Sequence, residues 1–73
     1  MNKGRVVVVL GYASERDREK GAGPQAQRVA ETLADLEAVA RELYEQDLWL
    51  SYSTPEGRGL SSIGDARTFL HGR

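Results

Sequence analysis

The sequence predicts an α/β fold of the α+β kind. Its element order is β-α-β-β-α, giving a small three-stranded mixed sheet with one long amphipathic helix and a short C-terminal helix. Three observations carry this expectation. Residues 5–10 are an unbroken β-branched and leucine run, residues 26–43 place apolar side chains at helical spacing, and residues 48–53 alternate apolar with polar. At 73 residues the chain is read as a single domain, 1–73, burying about 60–65% of the surface it would expose unfolded. With no cysteine, such a thin core rests on packing alone, helped by a second subunit where one is present.

Gly4 and Gly11 bound the first strand, Arg5-Val6-Val7-Val8-Val9-Leu10. Four consecutive valines disfavour a helix, and their lack of alternation means that both sheet faces need cover. An interior strand is expected. Residues 11–23 form a charged, glycine-rich stretch in which Glu15, Asp17 and Glu19 alternate with Arg16, Arg18 and Lys20. Ser14 and Asp17 have the spacing of a helix cap, but no apolar stripe anchors a helix there, so a mobile loop is expected. Pro24 opens a helix over about 24–46, with Val29, Leu33, Leu36, Ala40 and Leu43 facing the core and Ala26, Ala30, Val39 and Tyr44 widening the stripe. Glu37, Arg41 and Glu45 follow at four-residue intervals as candidate ion pairs on its wet face.

Leu48 to Ser53 is the second strand, with Leu48, Leu50 and Tyr52 on one side and Trp49, Ser51 and Ser53 on the other. Thr54-Pro55-Glu56-Gly57 fits a type I turn into a short third strand around 58–61. Ser61 or Ser62 then caps a closing helix carrying Ile63, Ala66, Phe69 and Leu70. The first two strands, joined by a helical crossover, are expected to pair in parallel. Val7, Val9 and Trp49 then share the less covered face, a patch that either the last helix or a second copy of the chain would hide.

Little in the sequence suggests chemistry. No G-x-G-x-x-G, G-x-x-x-x-G-K-[ST] or G-x-S-x-G pattern occurs, and Pro24 removes an amide that an anion site at Gly21-Ala22-Gly23 would use. His71 is the sole histidine and lies near the chain end, so no catalytic residue, metal site or cofactor is expected. Ser51, Ser53, Thr54, Ser61 and Ser62 suit turns and caps better than nucleophilic roles. The longest apolar run, Val6 to Leu10, is too short for a membrane span, and residues 1–5 lead into no signal-peptide pattern, so a cytoplasmic protein is expected.

The net charge of -1 argues against a general nucleic-acid coat. What remains is a small non-enzymatic protein-binding regulator that occupies a surface of a larger protein or complex. By size-class analogy it is a phage-type or bacterial inhibitor of host transcription or defence machinery. Its expected anchors are Trp49, Tyr52 and Arg58, residue types concentrated at interfaces, with Tyr12 on the adjoining loop as a further candidate. The acids Glu31, Asp35, Glu42 and Glu45 on the long helix would orient a basic partner, since residues 28–47 hold six acids and two bases. The alternative is a single-stranded nucleic-acid-binding module using Trp49 and Tyr52 with Arg58, Arg67 and Arg73. A homodimer through the Val7/Val9/Trp49 face is a further expectation.

Overall fold

The computed structural model describes residues 5–71. Its elements are β1 (Val7–Tyr12), α1 (Glu15–Glu19), β2 (Ala26–Ala30), α2 (Leu33–Glu45), β3 (Trp49–Ser53), β4 (Gly59–Leu60) and α3 (Ile63–His71). They form a small α+β domain whose four-stranded sheet has the order β2-β1-β3-β4, with every neighbouring pair antiparallel.

This arrangement corrects the expected three-stranded mixed sheet. Residues 26–30 do not begin the long helix; they form β2, pairing Val7 with Ala30, Val9 with Arg28 and Gly11 with Ala26. The physical reason is β1, whose backbone groups need partners along both edges. A helix starting at Pro24 would leave one edge of β1 empty. Pro24 instead precedes a strand entry at which Gln25 N donates to Gly11 O at 2.7 Å. The helix begins later because Thr32 caps it, its hydroxyl accepting from Asp35 N at 3.0 Å.

The β1–β3 pairing is also antiparallel, not parallel. Both β2 and β3 run opposite to β1, so they are parallel to each other, with α2 as their crossover and β1 between them, a split β-α-β unit. The expected mobile loop contains a further element, α1, capped by Ser14, whose hydroxyl accepts from Asp17 N. The expected third strand shrinks to Gly59–Leu60.

Antiparallel registers place paired residues on the same face. Val9 opposite Tyr52 and Gly11 opposite Leu50 therefore put Val7, Val9, Leu50 and Tyr52 together on an inner face. Leu36 and Leu43 of α2 and Ala66 and Leu70 of α3 cover that face, and Val7, Val9, Leu36 and Leu43 are fully buried. Trp49 lies on the other face, beside Tyr12, with Val8, Leu10 and Val29 on neighbouring positions. The expected Val7/Val9/Trp49 patch is thus divided between the two faces. Arg18 of α1 lies over the outward face at its Tyr12–Trp49 end, and Val29 is 52% exposed.

Two further helical expectations change. Leu33 is 40% and Tyr44 is 75% exposed, so the core stripe of α2 is narrower than the apolar spacing implied. The Glu37/Arg41/Glu45 ladder does not form, because Glu37 reaches Arg67 of α3 at 3.2 Å. α2 ends in a tight C-terminal cap in which Asp47 N donates to Tyr44 O and Leu48 N to Leu43 O. Asp47 takes the left-handed conformation that this cap requires, with φ 62°. The turn after β3 matches its expectation: Gly57 N donates to Thr54 O at 2.9 Å, and Gly57 adopts φ +95° before Thr54 N donates to Arg58 O. Among the described residues, no helix is long and apolar enough to cross a membrane.

Candidate functional site

Among the described residues β4 pairs only with Tyr52 and Ser53, and after Leu60 the chain turns away through Ser61 and Ser62 into α3. Beside Trp49, Leu50 and Ser51 this leaves a notch in the sheet, opening into a groove of about 400 Å3. Its lining includes Arg18, Trp49, Leu50, Tyr52, Gly59 and Ser61. A second cleft of about 510 Å3, lined by Arg5, Arg58, Asp65, Thr68 and Phe69, shares Gly59, Leu60 and Ser61 with the first. Two-residue β4 is therefore the common wall of both depressions.

Each cation is positioned by a different device. The Ser14 cap starts α1, which brings the Arg18 guanidinium over the Trp49 ring at 5.1 Å from its centroid. Arg5, just before β1, donates from Nη1 to Phe69 O at 3.1 Å and lies 4.9 Å from the Phe69 ring centroid. Arg58 is held through its backbone, its N–H donating to the buried Thr54 hydroxyl at 3.1 Å, while its side chain is exposed. Among the described residues the ion pairs are Arg28–Glu42 and Arg67–Glu37, so Arg5, Arg18 and Arg58 are not neutralised by a carboxylate contact. Burial pushes the Tyr52 hydroxyl above the usual phenol range, with Arg67 opposing that shift.

The expected anchors are partly gathered. Trp49 and Tyr52 project to opposite faces of β3 yet line the same groove, and Arg58 lies in the adjoining cleft. Tyr12 is buried within β1, not carried on a loop. The acidic set is dispersed. Glu31 precedes α2 and its N–H donates to Asp35, Glu42 is engaged by Arg28 at 3.1 Å, and Glu45 is exposed at the end of α2. Of the arginines in the nucleic-acid alternative, Arg67 is engaged by Glu37 and Arg73 lies outside the described residues.

Sequence reasoning missed Arg18 and Arg5. The Ser14/Asp17 spacing was the available signal for Arg18, while nothing local distinguishes Arg5. Among the described residues, no cluster of three or more His, Cys, Asp or Glu side chains is placed to hold a metal ion. No family model matches the chain, and neither a curated protein nor a solved structure shows significant similarity to it.

Proposed function

We propose that this chain is a small non-enzymatic protein-binding regulator that acts in the cytoplasm by occupying a surface of a larger protein. Its partner would be a transcription or defence machine of the kind that phage and bacterial inhibitors target. The observation supporting this reading is the groove at the sheet notch, where an indole, a phenol and the Arg18 guanidinium lie beside an incomplete strand edge, with Arg58 in the adjoining cleft. Aromatic and arginine side chains around a concave, partly desolvated site are the usual energetic centre of a protein interface. Glu45 and Asp35 are exposed on α2 and supply the orienting charge.

Immobilised chain and lysate provide the test. Wild type is expected to retain a discrete protein that Trp49→Ala and Arg58→Ala each reduce at least tenfold, while Val29→Thr does not. Equal retention by wild type and both variants would defeat the reading. Retention that is nuclease-sensitive and falls steeply between about 50 and 200 mM salt would assign the groove to nucleic acid instead.

A further inference from the structure

Resting on the groove reading above, we propose that the occupant is an extended acidic segment of the partner, which adds as a short strand to the free edge of β3 at Leu50. Along a strand, the N–H and C=O of alternate residues point to the same edge. Thr54 N donates to Arg58 O, so Thr54, Tyr52 and Leu50 direct their backbone groups toward the β4 side. Tyr52 meets Leu60 there. Among the described residues Leu50 meets no strand there, because β4 has ended, and in the β1 ladder it stands opposite Gly11 with its polar groups turned away. An N–H and a C=O therefore face a groove already shaped to hold a chain.

Strand length and charge define the occupant. Three or four extended residues, about 10–13 Å long, fill the space collinear with β4. Gly59 contributes no side chain to obstruct them, and the exposed Ser61 offers a hydroxyl at the seam. Arg18 stands at the Trp49 end, and Arg5 and Arg58 occupy the cleft on the other side of β4. Against these three arginines the two linings contain one carboxylate, Asp65. A segment with acidic side chains flanking its paired residues satisfies both the backbone and the guanidinium groups. Single-stranded nucleic acid fits less well: the Trp49 ring face on which a base would stack is already taken by Arg18, whereas a carboxylate can pair with Arg18 where it stands.

The test uses the full chain, labelled with nitrogen-15, and an eight-residue peptide alternating glutamate with valine or threonine. Leu50 N–H is expected to exchange rapidly in the free protein and at least tenfold more slowly with peptide bound, together with a shift of the Trp49 indole. Peptides N-methylated at alternate positions should lose binding in one parity and keep it in the other. Arg18→Gln with Arg58→Gln, at unchanged melting temperature, should weaken affinity at least tenfold. Equal or tighter binding of a lysine-for-glutamate peptide or of oligothymidine would overturn the acidic-peptide assignment. Protection of Leu50 in peptide-free, dimeric protein would assign the edge to a second copy instead. Absence of Leu50 protection, whether with the peptide or with a protein captured from lysate, refutes strand addition alone. The wider groove reading fails separately, when capture is indifferent to Trp49→Ala.

Discussion

Gly11→Ala decides between two readings of the first strand by its sign. If the strand ended at Gly11, as the local sequence suggests, an alanine there would stabilise by about 0.4–1 kcal/mol through the unfolded chain. In the structure Gly11 is buried inside β1 between Ala26 and Leu50, and its φ is not in the positive range. The backbone would therefore tolerate alanine, but Leu48 would not. A Cβ at this position would lie 2.8 Å from Leu48 Cδ1, 3.1 Å from its Cβ and 3.5 Å from its Cγ. Rotating the side chain relieves the first contact; the second moves only with the backbone. Overpacking of this kind costs about 1–3 kcal/mol, so after the unfolded-state gain the net loss is about 1–2 kcal/mol. Against a total stability of about 4–11 kcal/mol for a chain this long, the melting temperature should fall by about 5–15 °C. Urea and thermal unfolding followed by circular dichroism and Trp49 fluorescence measure both quantities. In a Leu48→Ala background, which removes Cγ and Cδ1 but leaves the 3.1 Å contact, the cost should shrink by more than about 0.5 kcal/mol. A neutral or stabilising Gly11→Ala, or an identical cost in both backgrounds, would refute the packing of Leu48 against the sheet.

Thr32→Ala should destabilise by about 1 kcal/mol, because the cap on Asp35 N is lost; a stabilising effect in urea unfolding would return Thr32 to a helix interior. Asp47→Gly should stabilise by about 0.5–1 kcal/mol by relieving the left-handed strain at the end of α2, measured as a raised urea midpoint at unchanged slope. Tyr52 has a raised folded-state pKa, so its contribution to stability is fully present below the unfolded value of about 10 and is lost as the pH rises through the folded value. The stability difference between wild type and Tyr52→Phe should accordingly be constant from pH 7 to about 9.5 and decline above that. A difference that stays flat to pH 11 would show that the phenol is not desolvated.

What was legible in the sequence follows its local signals. The valine run, the alternation of residues 48–53, the Pro55/Gly57 turn and the Ser62 cap on Asp65 N all lie where the elements form. β2 was hidden because Ala26, Val29, Ala30 and Leu33 fit a helical stripe as well as Ala26, Arg28 and Ala30 fit an alternating one. The choice between them is made by β1, a partner about twenty residues away. Reading residues 26–30 as helix entails a parallel β1–β3 pairing, so the one misassignment carries the other with it. Within each strand the side-chain parity was readable, but which parities share a face depends on the Val9–Tyr52 register, and this moved Trp49 off the Val7/Val9 side. Trp49 and Tyr52 were visible as interface-type residues; the free Leu50 edge was not, because it exists only through the brevity of β4.

Two stretches of open edge, β2 and the β3 notch, are treated differently among the described residues, and the difference bears on which one invites a partner. β2 exposes a five-residue edge, the longer of the two, yet its arginine, on the inner face with Val9, is neutralised within the chain by Glu42, and its outward positions are Gln27 and Val29. Such an edge is blunted by internally satisfied charge and presents no electrostatic demand. At the β3 notch the free backbone is shorter, but Arg18 lines it and Arg58 and Arg5 line the adjoining cleft across β4, none of the three in contact with a carboxylate among the described residues. Like-charged guanidinium groups around an edge repel a second identical edge and attract an acidic one. The same residues that oppose self-association at the notch therefore select its ligand, and specificity comes from repulsion as much as from attraction.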